Sequence, residues 1–208
     1  MLELLQKNRF FYFPYILVMV VVAVLQINYT QGELMLWVNS RNSLVADLIF
    51  PYVTYLGDGA FYVVVCLILM IYNWRVGLMG LASFALSSLT SEFLKKLVFT
   101  DSPRPLKFFE QSINKYHLIE GLDIHSFNSF PSGHTTTAFA MFSLLALLDV
   151  QKGRGWIFLL LAMLTGYSRV YLFQHFVEDA YVGSLIGTIS TLLVYVLLRK
   201  WVSKNKVD

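Results

Sequence analysis

The placement of charge constrains this chain more than any other feature. Between Arg9 and Glu33 there is no charged residue, a run longer than the roughly 20 apolar residues that carry a helix across a bilayer. The run has no small-residue cleavage site and begins among aromatic residues, so it reads as a retained first span and not as a cleaved leader. Five further apolar segments follow: Gly59 to Trp74, Val76 to Leu97, Ser132 to Leu148, Gly155 to Phe173 and Val177 to Leu198. With 57% hydrophobic and 14% charged residues, the chain carries too little charge to cover a soluble domain of this size. The expectation is an all-α fold, a six-span transmembrane helical bundle in one membrane-embedded domain over residues 1–208. A net charge of +3, scattered along the chain, does not suggest a nucleic-acid partner. The single cysteine, Cys66, lies in an apolar run and can form no internal disulfide.

If the six segments alternate across the membrane, one face collects Lys95, Lys96, His134, Arg169, His175 and Asp179. The other collects Lys7, Arg9, Arg75, Lys152, Arg154, Arg199, Lys200, Lys204 and Lys206. The positive-inside rule makes the second face cytoplasmic, with both termini inside. The first face then lies outside, together with a long polar loop from Thr100 to Phe130. Loops of that length usually have a task or are disordered.

Three segments on the outer face carry chemistry. His175 and Asp179, four apart, share one face of the sixth helix, where the carboxylate can fix the imidazole tautomer and leave the other nitrogen free. Ser132 stands after Pro131 and before an apolar run, as a helix N-cap does. That helix would offer the backbone N–H groups of Gly133 and His134 to an anion. Lys96, Arg104 and Arg169 add positive charge. Two histidines, three cations and a helix start suit phosphoryl transfer, which depends on positioning and charge stabilisation.

These residues resemble the type 2 phosphatidic acid phosphatase and vanadium haloperoxidase superfamily, in its bacterial membrane lipid phosphatase branch. The signature is a Lys…Arg-Pro segment, a Pro-Ser-Gly-His segment and a Ser-Arg…His…Asp segment. Pro131-Ser132-Gly133-His134 and Ser168-Arg169…His175…Asp179 match it in order and spacing, and the likeness extends over about residues 55–200. The first segment departs from it: the usual pattern has six residues between lysine and Arg-Pro, whereas seven separate Lys96 from Arg104, and Lys95 is one farther off. Lys96 is therefore assigned. The resemblance implies that His175 attacks phosphorus and becomes a phosphohistidine, that Asp179 orients it, and that His134 moves protons to the leaving oxygen and from water. Lys96, Arg104, Arg169, Ser132 and the Gly133 amide would bind phosphate oxygens. No metal or other cofactor is implied, and the implied partners are a lipid phosphate substrate and the bilayer.

Plainer readings exist for each residue alone. Lys95 and Lys96 can snorkel at a helix end, the His175–Asp179 pair can simply lock a helix, and Glu92 can pair with Lys96 one turn on. His117 and His125 lack metal-ligand spacing and read as solvated loop residues. Asp58 marks the start of the second span, and Gly183 with Gly187 marks close helix packing. What makes the functional reading stronger is that all the site residues meet one pattern together. The candidate substrates are phosphatidylglycerophosphate, undecaprenyl diphosphate, phosphatidic acid and a lipid A phosphate, handled at a bacterial inner membrane. A phosphotransferase using the same phosphohistidine and a non-catalytic lipid-binding protein are the alternatives.

Overall fold

The structure, a computed structural model, describes residues 2–203; Lys204 and Lys206, two of the cations expected on the inner face, lie outside the described residues. The described residues are helical and contain no strand. A short α1 (Leu2–Lys7) leads through Asn8 into α2 (Arg9–Asn28). The uncharged run does not stay one helix to Glu33. Thr30 and Glu33 form a capping box, with the Thr30 N–H donating to Glu33 Oε2 at 2.8 Å, and this starts α3 (Gln31–Asn39). Ser43 caps α4 (Leu44–Val53), and one 3₁₀ turn (Thr54–Gly57) leads into α5 (Gly59–Tyr72), bent 56° from α4. The Asp58 carboxylate accepts from the Ala60 N–H at 2.7 Å and so caps α5.

Next, α6 (Trp74–Phe93) runs on into a π-helical turn, Leu94–Val98. The polar segment that follows is not a bare loop. It contains α7 (Pro105–Phe108) and a 3₁₀ stretch, Glu110–Lys115. Its Leu106, Phe109, Ile113 and Tyr116 pack on Met35, Tyr171, Phe173 and Phe176, a hydrophobic cluster of its own. Three helices then complete the chain: α8 (Gly133–Leu148), α9 (Gly155–Tyr171) and α10 (Val177–Ser203).

Helices thus stand at all six expected positions, as α2, α5, α6, α8, α9 and α10, while α3 and α4 are additions the charge pattern did not show. By length and apolarity, three of the described helices qualify as spans: Arg9–Asn28, Trp74–Val98 and Val177–Ser203. A fourth qualifies if α4 and α5 count as one bent span. The chain is an integral membrane protein. α8 is the centre of the bundle: twelve of its sixteen residues are buried. α10 crosses it at close range, and a methyl group added at Gly187 would overlap the Thr136 carbonyl and the Ala140 amide. Buried polar bonds join the helices where apolar burial gives little drive in lipid. Ser83 and Thr191 hydroxyls meet at 2.6 Å, Thr191 also donates to the Ala140 carbonyl at 3.0 Å, and Tyr12 meets Ser143 at 2.8 Å.

Candidate active site

The ends of α6, α8, α9 and α10 converge beneath the cap formed by residues 99–132. Ser132 is the N-cap of α8: its Oγ accepts from the Thr135 N–H at 3.4 Å and the Thr135 hydroxyl at 2.9 Å. Its own N–H donates to the Asp179 carbonyl at 3.0 Å, which ties the start of α8 to the first turn of α10. The N–H groups of Gly133 and His134 find no acceptor among the described residues, as the free first turn of a helix allows. Gly57 touches this turn from the other side, so close that a side chain there would collide with the His134 carbonyl.

The tight turn between α9 and α10 links arginine to histidine through the backbone, since the Arg169 carbonyl accepts from the N–H groups of Gln174 at 3.0 Å and His175 at 3.2 Å. His175 is buried, with Nδ1 3.2 Å from Asp179 Oδ2. Burial first, then the cations Arg169, Arg104 and Lys95 with His134, hold the His175 imidazole pKa well below its ordinary value. A neutral ring that donates from Nδ1 leaves the Nε2 lone pair available. Asp179 Oδ2 also accepts from the Phe176 N–H at 2.9 Å and from the hydroxyl of Ser129, a buried residue three positions before Ser132.

Arg169 and Arg104 are each held by neutral groups. Arg169 Nη1 donates to the Thr54 hydroxyl at 2.7 Å, while its buried Nε has no partner. Arg104 donates to Gln174 Oε1 at 2.9 Å, the Gln174 carbonyl at 3.2 Å and the Phe127 carbonyl at 2.9 Å. Gln174 in turn donates to the Asp123 carbonyl at 2.7 Å and so joins Arg104 to the cap. Among the described residues neither arginine pairs with a carboxylate.

The lysine is where sequence and structure part. Lys96 Nζ lies 2.9 Å from Glu92 Oε2 with its side chain 71% exposed, and it does not reach the site. Lys95 does: its Nζ stands 3.9 Å from the point where a Gly133 Cβ would lie. The physical reason is periodicity. Ser83, Ser87 and Ser91 form the buried stripe of α6, and the next step of four is Lys95. The π turn over Leu94–Val98 takes up the extra chain before Arg104. Thr54, Ser129 and Gln174 had no signal in the motif, because each acts through partners distant in sequence. His117 is also corrected, since it is no solvated loop residue: its Nε2 lies 3.0 Å from Asp47 Oδ2, and Asn39 brackets its backbone. Among the described residues no three His, Cys, Asp or Glu side chains converge as a metal-binding group.

Fold and site together define a class: a helical membrane protein whose buried histidine–carboxylate pair faces a cluster of cations. The chain belongs to the PAP2 superfamily, whose family model matches residues 76–203, and it is an enzyme of the membrane lipid phosphatase branch. Over 158 residues it is 28% identical to the undecaprenyl-diphosphatase BcrC of Bacillus subtilis (strain 168), covering 72% of this chain and 73% of that one. A shorter stretch of 68 residues is 40% identical to the bacitracin transport permease protein BcrC of Bacillus licheniformis; it spans 33% of this chain and only 32% of that protein. The crystal structure of Aquifex aeolicus LpxE superposes with a TM-score of 0.68 at 29% identity, over 79% of this chain and 93% of that one. The PAP2-type phosphatidylglycerolphosphate phosphatase of Bacillus subtilis shares the fold, with a TM-score of 0.67 at 22% identity over 89% and 94% of the two chains.

Proposed function

We propose that this enzyme hydrolyses a lipid phosphate or diphosphate monoester through a phosphohistidine on His175, without a metal. The observation that carries the reading is the buried His175–Asp179 pair beside the unpartnered Nε of Arg169. His175 Nε2 attacks phosphorus while His134 protonates the leaving lipid oxygen; His134 then takes a proton from the water that cleaves the phosphorus–nitrogen bond. Arg169, Arg104, Lys95 and the free N–H groups of Gly133 and His134 stabilise the phosphoryl oxygens. Asp179 holds the His175 ring, with Ser129 behind it.

The first candidate substrate is undecaprenyl diphosphate, on the strength of the relative named for that activity, which aligns over 72% of the chain. Phosphatidylglycerophosphate, phosphatidic acid and a lipid A phosphate present the same group and form the comparison set. We place the enzyme in a bacterial inner membrane with six spans, both termini inside and the site outside. Support comes from the inner-end cations and from helices at all six expected positions.

The test is phosphate release by purified protein over those four lipids, with and without EDTA. Turnover undiminished by EDTA, blocked by vanadate and fastest with undecaprenyl diphosphate is expected. Loss on chelation, restored by magnesium, overturns the metal-free reaction; a faster rate with another lipid overturns the substrate assignment alone. A cysteine introduced at Ser112 should label from outside, and one at Ser203 should not.

A further inference from the structure

Behind the carboxylate that holds His175 lies a cavity of about 550 Å³, walled by the start of α3, the cap and the first turn of α10. Neither His134 nor His175 lines it, nor do Lys95, Arg104, Gly133 or Arg169, so it is distinct from the place where phosphate would sit. Its polar wall is Thr30, Gln31, Ser102, Ser129, Glu178 and Asp179: two carboxylates and no cation.

Asp179 carries the first observation. It is 1% exposed, and all three of its side-chain hydrogen bonds, from Ser129, His175 Nδ1 and the Phe176 N–H, go to Oδ2. Oδ1 accepts none among the described residues. Unlike the Nε of Arg169, which is sealed in protein, Oδ1 keeps accessible surface, and the cavity is what Asp179 borders. A buried carboxylate oxygen beside open space calls for a donor.

Glu178, on the same helical turn, carries the second. Its N–H donates to Gln31 Oε1 at 3.1 Å, yet its carboxylate forms no ion pair among the described residues. A carboxylate in the first turn of a helix can simply be solvated, which accounts for Glu178 but not for the Asp179 oxygen. Water would satisfy that oxygen but brings no charge to two carboxylates. A metal ion fits poorly, because no third His, Cys, Asp or Glu joins them among the described residues. Phe108, Phe130 and Phe176 form much of the remaining wall and suit a cation that carries carbon.

We propose that this cavity binds the primary ammonium group of an organic amine, its N–H donors on Asp179 Oδ1 and the Glu178 carboxylate and its carbon against the three phenylalanines. The amine is either free in solution or part of a lipid headgroup. A bound ammonium shares the carboxylate that would steady the His175 imidazolium as the phosphorus–nitrogen bond forms, so it lowers kcat and leaves KM unchanged. This kinetic consequence rests on the phosphohistidine reading; the binding does not.

The experiment follows the thermal midpoint of the full-length protein in detergent at constant ionic strength, with sodium chloride as the baseline. Butylammonium tests a free amine against tetramethylammonium, which has the charge but no N–H. Phosphatidylethanolamine tests a lipid headgroup against phosphatidylcholine in the same way. A saturable rise with either primary amine, absent with its methylated counterpart, is expected and names the source. Glu178→Gln should weaken the apparent affinity by about threefold, the scale of a solvent-exposed ion pair, and Glu178→Lys should abolish the response. Glu120→Gln, in the cap and outside the cavity, should change nothing. Should Glu178→Lys not fold, Phe108→Ala, at an exposed ring, should weaken the response to butylammonium and spare that to ammonium. No rise with either primary amine, a rise equalled by the methylated control, or equal effects of Glu178→Gln and Glu120→Gln overturns the proposal. Binding that leaves kcat unchanged supports the cavity and counts against the role given to Asp179 behind His175.

Discussion

The site has two halves of different origin. His134, Arg169, His175 and Asp179 come from the helix ends of α8, α9 and α10 and the turn between the last two, all within the stretch 134–179. Lys95, Arg104 and Thr54 come from the end of α6, the cap and the turn before α5. The first half is fixed by local geometry: an N-cap, one helical turn, and a turn whose two N–H groups share one carbonyl. The second is fixed only by tertiary packing, and neutral partners join the two halves: Thr54 of the second holds Arg169 of the first, and Gln174 holds Arg104. Local geometry holds the histidine–carboxylate pair and Arg169; packing brings Lys95 and Arg104 to it.

The largest effect should come from the local half. His175→Ala should reduce turnover to background, with no acid-labile phosphoprotein trapped on quenching. His134→Ala should lose about a hundred- to ten-thousand-fold with a lipid substrate yet still form phosphoprotein from an activated aryl phosphate, whose leaving group needs no proton. Phosphoprotein in His175→Ala would reverse the two roles and break the comparison at its centre.

Next comes the lysine pair, one member inside the site and its neighbour outside. Lys95→Ala should lower kcat/KM by about a hundredfold or more, the scale for one donor to a developing oxyanion. Lys96→Ala should stay within about twofold, since it removes an exposed helical ion pair. Equal losses would mean that the buried serine stripe of α6 does not set which lysine faces the phosphate.

The neutral holders should give smaller and distinguishable losses. Thr54→Val and Ser129→Ala each remove one buried hydrogen bond, worth about tenfold in rate if expressed wholly in the transition state. Thr54→Val should act chiefly through KM, because it loosens Arg169, the arginine proposed to bind phosphate. Ser129→Ala should act chiefly through kcat, because it loosens the carboxylate behind the nucleophile, and Ser129→Thr should recover much of the loss. Steady-state kinetics on folded variants decide between them.

The smallest effect concerns pH. Because the His175 pKa is held well below its ordinary value, the ring stays neutral and nucleophilic as pH falls through about 6.5. The acid limb of kcat/KM assigned to His175 should therefore lie well below pH 6.5. By the same linkage, the stability associated with a depressed histidine is complete above the unfolded value and is lost as pH falls toward the folded one. A limb at or above pH 6.5, with the His175 ring titrating at the same pH by NMR, would contradict the buried, cation-surrounded ring.

How much was legible in the sequence follows the same division. Ser132, His175 and Asp179 were readable because caps and helical steps of four are properties of adjacent residues. Lys95 was recoverable too, from the Ser83, Ser87, Ser91 stripe, but counting residues to Arg104 concealed it: a π turn changes the count without changing the face. α3 was announced by the Thr30…Glu33 capping box inside what looked like one uncharged run. Thr54, Ser129 and Gln174 were not readable, because a threonine 115 positions from its arginine leaves no local trace.

The neutral holders of Arg104 and Arg169 also have a kinetic consequence. A site whose arginines form no ion pair among the described residues attracts whichever dianion is present, and after each turnover that dianion is the product. Holding the arginines with a hydroxyl and an amide keeps their charge undiminished for the reaction, and the same charge slows the departure of inorganic phosphate. Phosphate should therefore compete with substrate, and the pace of the cycle should depend on how quickly the emptied site lets it go.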